Sequence, residues 1–270
     1  MMQRVMRAWA ENAAAFATVL ARIDPAWGSE TFEVAGGHVV LCGPGMYVNR
    51  AIGIGGERAL TDDEFDLLES RSAAVGVEAA VEVTPASHPE LIERLVERGY
   101  AAGDETIVLR CRLDTADVFA PVSDSIVIRS ANTELLAVWQ NTSALGWGHR
   151  QPDARRASDA FARAAAVVDG DGLLLASDAE DGRPLGCASL TVNGDVATLG
   201  GMSTVPDERG RGVQAAMIEH RLQVAADLGC TIATTSTEPD GASYRNLTRH
   251  GFEPWFTVTT MALPPATGTG

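Results

Sequence analysis

Residues 204–215 read Thr204-Val205-Pro206-Asp207-Glu208-Arg209-Gly210-Arg211-Gly212-Val213-Gln214-Ala215. A strand read from Val196 to Val205 enters this segment and stops at a Pro-Asp turn. A loop of glycine and arginine follows, and a helical stripe of Val213, Ala216, Met217, Val224 and Leu228 starts at once. Gly229 stands just past that stripe, where a helix commonly ends. Strand, tight loop and helix start in that order form an anion cradle. Glycines let the backbone approach a ligand, and the first helical turn presents unpaired N–H groups at the positive end of its dipole. Arg209 and Arg211 add charge. The Lys-Ser/Thr of a P-loop and the three-glycine dinucleotide fingerprint are both missing, which favours a phosphate ligand but not a nucleoside triphosphate.

The flanking sequence alternates strands and helices. Upstream, Ile126–Ile128 reads as a short strand, and Asn132–Leu145 and Asp153–Val168 have helical spacing with Asn132 and Asp153 as N-caps. Leu173–Ala176 and Leu185–Val192 read as strands joined by Glu180-Asp181-Gly182-Arg183, and Asn193-Gly194 marks a hairpin into the strand that feeds the cradle. Downstream come a strand at Thr231–Thr235, a helix at Ala242–His250 and a strand at Trp255–Met261.

The cradle Arg209-x-x-Gly212-x-Gln214-Ala215 and the later Ser243-x-x-Asn246-Leu247-x-Arg249-x-Gly251-Phe252 make the stretch from about Ile126 to Leu263 resemble the GNAT superfamily of N-acetyltransferases. The family pattern is Arg/Gln-x-x-Gly-x-Gly/Ala; Gln214 departs at its sixth position, and the small Ala215 follows. The resemblance implies acetyl-CoA as co-substrate and no metal. Its pyrophosphate would be held by Arg209, Gly210, Arg211, Gly212, Val213, Gln214 and Ala215, and its thioester would lie along the strand of Met202, Ser203, Thr204 and Val205. Ser243 and Asn246 are candidate contacts to pantetheine or phosphate, with helix capping as the alternative role.

Direct transfer to an amine, which the resemblance also implies, needs a donor for the thioester oxygen, a route off the amine for a proton, and a proton for the departing thiolate. Many family members place a tyrosine acid where this chain has Leu247. Tyr244, three residues earlier and near the same helix face, is the candidate acid, with water as the alternative. Glu238 is a candidate base, with an ordinary surface carboxylate as the competing role. Trp147, His149 and Arg150 fall in a loop that lines the acceptor pocket in similar proteins. The expected activity is acetyl transfer to a small-molecule amine. A CoA-binding protein without catalysis, or an enzyme using a longer acyl-CoA, is the alternative.

The first half repeats the plan in weaker form. Leu95-x-x-x-Gly99-Tyr100 before Thr106–Leu113 parallels Leu247-x-x-x-Gly251-Phe252 before Thr257–Leu263. Val48–Ile54, Asp62–Val75 with Thr61 as cap, and Glu78–Val83 supply strand, helix and strand in matching order. In place of the cradle stands the acidic Gly53-Ile54-Gly55-Gly56-Glu57-Arg58-Ala59-Leu60-Thr61-Asp62-Asp63-Glu64, whose charge repels a pyrophosphate. The expected architecture is α+β, three-layer α/β/α-like: two GNAT-like units with mixed, mostly antiparallel sheets. A degenerate unit over 1–118 precedes a CoA-binding unit over 124–265, with Asp114–Ser125 as the boundary.

Composition narrows the partners. The chain has 270 residues, and 21 Lys+Arg against 36 Asp+Glu leave a net charge of −15, which opposes nucleic acid or an anionic membrane as main partner. Four cysteines without a CxxC pair suit neither a zinc site nor a disulfide scaffold and point to a reducing cytoplasm. The basic Met1–Arg7 and apolar Ala13–Ala21 imitate a signal peptide, but Glu11, Asn12, Arg22 and the missing cleavage pattern favour an amphipathic helix. A monomer or homodimer is expected, and the tail Pro264–Gly270 reads as frayed.

Overall fold

The computed structural model describes residues 1–113, 124–131, 133–168 and 172–263. The boundary segment 114–123, the cap residue Asn132 and the tail 264–270 lie outside the described residues. In chain order the elements are α1 (Met2–Ile23), β1 (Glu30–Val34), β2 (Gly37–Leu41), β3 (Arg50–Ile52), α2 (Asp62–Val75), β4 (Ala79–Val83), α3 (Pro89–Glu97), β5 (Ala101–Arg112), β6 (Ile126–Ser130), α4 (Leu136–Trp147), α5 (Pro152–Val168), β7 (Leu173–Asp178), β8 (Pro184–Asn193), β9 (Val196–Thr204), α6 (Val213–Asp227), β10 (Ile232–Thr237), α7 (Ala242–Arg249) and β11 (Glu253–Leu263). They form two compact units, one of Met1–Ile107 with Phe256 onward, the other of Val108–Trp255. β5 and β11 therefore each begin in one unit and end in the other.

In the first unit the strands run β1-β2-β3-β4-β11. All pairs are antiparallel except β3 with β4, whose parallel crossover is α2. Val39 and Leu41 pack with Leu60, Phe65, Leu68, Leu91, Leu95 and Tyr100, which puts α2 and α3 over this core, while α1 lies against β1, β2 and β3. The β1–β2 hairpin, with Ala35 and Gly36 both at positive φ, has no counterpart among the strands read from sequence.

Thr61 caps α2 as its position suggests. Its hydroxyl accepts from the Glu64 N–H, and the Glu64 carboxylate accepts from the Thr61 N–H, a complete capping box. Arg58, together with these bonds, holds the Glu64 carboxyl down at about 2. A depressed carboxyl stabilises the fold fully above its unfolded value and loses that contribution as pH falls toward 2. Thr61→Ala is expected to cost ~1 kcal/mol in urea unfolding followed by circular dichroism at neutral pH.

The second unit carries strands in the order β5-β10-β9-β8-β7-β6, antiparallel from β6 to β9 and parallel between β9 and β10, with α6 as crossover. Leu173 and Leu175 pack with Trp139, Ala162 and Ala165 of α4 and α5, while Leu174 and Ala176 pack with Val213 and Met217 of α6. The alternation places helices on both faces, giving three layers. The order β3-α2-β4-α3-β5 recurs as β9-α6-β10-α7-β11, each with a parallel first pair, so the α+β fold is built of two related units. Some ends differ from expectation. α4 starts after Leu135, which supplies no side-chain cap, and Asp153 sits inside the first turn of α5, where Pro152 opens the helix. The β8–β9 turn pairs Asn193 with Val196, so Gly194 and Asp195 form its tip.

Candidate active site

β9 has two different neighbours. Its parallel ladder with β10 covers Val196, Ala197 and Thr198. Two side chains add to it: the Thr234 and Thr235 hydroxyls donate to the carbonyls of Ala197 and Leu199, at 3.2 and 2.8 Å. On the β8 side the register slips: Ser189 faces Gly200 and Cys187 faces Ser203, so β9 carries an extra residue, a bulge. The bulge re-aims the end of the strand, and Met202, Ser203 and Thr204 line a groove of about 750 Å³.

The groove continues into the cradle. Gly210 and Gly212 both have φ +81°, and no side chain caps the first turn of α6, whose N-cap is Gly212 itself. That turn carries no acidic residue, which leaves its N–H groups and dipole available to an anion. Arg209, Gly210, Gly212, Val213, Gln214 and Ala215 line the groove on this side, with Ser243 and Asn246 of α7. Gln214 bridges to α7: its amide donates to Ser243 Oγ at 3.3 Å, and its carbonyl accepts from Asn246 Nδ2.

Two cradle residues face elsewhere. The Val205 N–H donates to the Leu185 carbonyl at 2.9 Å, holding the strand end to β8. The Arg211 guanidinium donates to Asp178 at 2.7 Å and Glu208 at 2.6 Å, and Arg183 also pairs with Glu208. Arg211, helped by the Glu180 N–H, keeps the Asp178 carboxyl below its usual range. Arg211 thus ties the loop to β7 and offsets Glu208, an acid that lines the groove, while the exposed Arg209 donates to the Gly146 carbonyl at 3.4 Å.

Other candidates are spread more widely. Tyr244 is half-buried on α7 and absent from the groove lining, and Leu247 is packed inward at 6 % exposure. Glu238 is exposed beyond β10. Trp147 lines the groove beside Gly146, while His149 is half-buried with its Nδ1 unpartnered, and Arg150 is exposed. Gly146, Glu208 and Ala242 are lining residues that sequence reasoning did not single out. Cys187 lies under the strand with Sγ 3.4 Å from Ser203 Oγ, and burial pushes its thiol up to about 11, so it holds no thiolate nucleophile at neutral pH. Among the described residues no cluster of His, Cys, Asp and Glu is placed to hold a metal, and no helix is long and apolar enough to cross a membrane.

The groove is floored by a bulged strand and ended by an uncapped helix, whose first-turn N–H groups can receive an anion. No curated protein matches the sequence significantly. Among solved structures, a GCN5-related N-acetyltransferase from Kribbella flavida has 17% identity and a TM-score of 0.64, over 95% of this chain and 96% of that one. A tandem GNAT protein from the clavulanic acid biosynthesis pathway has 16% identity and a TM-score of 0.62, over 95% and 93%. An acetyltransferase of the GNAT family from Colwellia psychrerythraea has 15% identity and a TM-score of 0.53, over 86% and 84%. At these identities the likeness is one of fold. The model of the acetyltransferase (GNAT) family matches residues 135–252, the stretch that holds the bulge, the cradle and α7. Over residues 135–252 the chain is therefore similar to the acetyltransferase (GNAT) family.

Proposed function

We propose that the second unit binds acetyl-CoA in the groove and transfers its acetyl group directly to the amine of a small molecule. The observation that carries this reading is the uncapped first turn of α6 opening onto the groove behind Gly210 and Gly212. Acyl-CoA-dependent acetyl transfer is the general chemistry of the family, the CoA thioester supplying an activated acyl group.

The chain's own residues divide the work. Backbone N–H groups of Gly212–Ala215, with Arg209, hold the pyrophosphate. Gln214, Ser243 and Asn246 line the pantetheine path, and the β9 bulge from Gly200 to Ser203 leaves backbone N–H groups free of β10 to receive the acyl oxygen. The high Cys187 thiol supports direct transfer over an acyl-cysteine route. Tyr244, the one tyrosine between Val108 and Trp255, is the proposed acid for the departing sulfur. Tyr244→Phe is expected to lower kcat about a hundredfold, the lower end of general-acid effects. An unaltered turnover moves that role to water.

The N-terminal segment 1–118, most of the first unit, is proposed to bind no CoA, and the segment 124–265, which holds most of the second, to bind one. In support, the capping box already occupies the N–H groups of Thr61 and Glu64 at the start of α2, and Asp62 and Asp63 put two further acids in the same turn. Calorimetric titration with acetyl-CoA, with desulfo-CoA and ATP as controls, is expected to give one site per chain. Two sites overturn the empty first unit, and no binding overturns the enzyme. Leu247, where an acid is missing, motivates a second reading of a CoA-binding protein without catalysis. CoA release above the hydrolysis blank with any of a panel of amines rules it out.

A further inference from the structure

Arg221, at the middle of α6, is 2 % exposed, so its guanidinium lies inside the second unit. Its Nε donates to the Met217 carbonyl at 3.0 Å, Nη1 to the carbonyls of Ser189 and Gly200 at 3.1 and 3.2 Å, and Nη2 to Met202 Sδ at 3.4 Å. Every one of these acceptors is neutral. Among the described residues no carboxylate approaches it, and burial lowers the guanidinium to about 9, which leaves it charged at neutral pH. A buried cation without a counter-anion is costly, and hydrogen bonds to neutral carbonyls recover only part of the lost hydration.

Its acceptors show what it holds. Ser189 and Gly200 are partners across β8 and β9 at the point where the register slips, and Met202 follows in the bulge and lines the groove. One guanidinium thus clamps both strands at the bulge and touches the residue that separates it from the groove. The fork of Nη1 and Nη2 suits this task as a single ammonium does not, because it reaches two carbonyls and a thioether at once.

From this geometry we infer that Arg221 is a positioning residue for acyl transfer: it fixes the β9 bulge in the shape that receives the acyl oxygen, and its fixed charge one side chain behind the groove favours the negative charge that oxygen gains. The inference rests on the proposed function above. It predicts a split between binding and turnover, since the proposed function assigns the phosphates to the first turn of α6 and the acyl oxygen to the bulge.

The test uses full-length protein with Arg221→Met, which keeps an unbranched apolar stem without the charge or the fork, and Arg221→Lys, which keeps the charge without the fork. Desulfo-CoA affinity by calorimetry is expected to stay within about twofold for both variants. With an amine that the wild type accepts, kcat is expected to fall about a hundredfold for Arg221→Met, a barrier change of ~2.7 kcal/mol, and about tenfold for Arg221→Lys. The carbonyl stretch of bound isotope-labelled acetyl-CoA, lowered by polarisation in the wild type, is expected to return toward its solution value in Arg221→Met. Should Arg221→Met not fold, the Lys variant and its carbonyl frequency decide the matter alone. Wild-type kcat and an unmoved carbonyl band in the variants overturn the inference, as does a loss of desulfo-CoA affinity equal to the loss of kcat. Wild-type protein that neither binds acetyl-CoA nor releases CoA overturns the underlying function as well, which separates the two failures.

Discussion

Gly212→Asp is expected to leave the protein folded and to weaken acetyl-CoA binding at least a hundredfold, ~2.8 kcal/mol, by calorimetry. Gly212 sits at φ +81° with nothing within 4 Å of an added Cβ, so the side chain meets no steric wall. Asp tolerates the left-handed region better than most residues, and a penalty of ~1 kcal/mol there lowers the melting temperature by about 2–4 °C. The new carboxylate stands at the start of a helix that lacks a side-chain cap. It can accept from the N–H groups proposed to hold phosphate and also repels the ligand's charge. Gly212→Ala carries the backbone strain without the charge and is expected to lose less than about tenfold in affinity. Equal affinities for the two variants would show that the cradle does not meet an anion.

Gly146→Ala is expected to damage fold and site together. A Cβ there would stand 2.4 Å from Ser203 Oγ and 2.6 Å from Ser203 Cβ. Ser203 is buried and engaged with the Cys187 thiol, so it has no space to retreat and α4 must lift from β9. Overpacking of this kind costs about 1–3 kcal/mol. At 2–4 °C per kcal/mol the melting temperature is expected to fall by about 5 °C. The lift also moves the Gly146 carbonyl from Arg209 and shifts Trp147 along the groove, so KM for acetyl-CoA is expected to rise about tenfold, roughly 1.4 kcal/mol. Adding Ser203→Gly removes the obstructing Cβ, and a double-mutant cycle is expected to return part of the melting temperature. Simple additivity of the two changes would mean that the glycine is not needed for the close approach.

The strand, loop and helix around residues 204–215 were legible because their signals are local. The Pro-Asp turn, the glycines and the stripe from Val213 lie within one strand–loop–helix unit, and the observed β9 and α6 ends fall within a residue of those read from sequence. Thr61 was legible for the same reason, since a capping box needs only residues three apart. What escaped notice depends on contacts far apart in sequence. The ion pair between Arg211 and Asp178, which turns one cradle arginine toward β7, joins the loop to a strand before the preceding hairpin. The contact between Gly146 and Ser203 exists only once α4 lies on β9. The burial of Arg221 was hidden by its place in an otherwise amphipathic helix, where arginine is normally at the surface. The start of α4 was read from Asn132, a residue with a capping side chain, whereas the helix starts after Leu135, which has no side-chain acceptor. The β1–β2 hairpin was missed because Glu30 and Glu33 break up its apolar pattern.

The division of β11 has a consequence for how the protein is made. Thr259 pairs with Val83, and Met261 joins the core built by α2 and α3, so the first unit closes only with a strand that follows the whole second unit in the chain. During synthesis the N-terminal residues leave the ribosome without this strand and wait with the edge of β4 unpaired. Contacts of such sequence separation form slowly, because loop closure costs entropy before the contacts repay it. In that interval the β4 edge is a template for another chain, so the newborn first unit is the stage at which this protein is most open to mispairing and to capture by a holding chaperone.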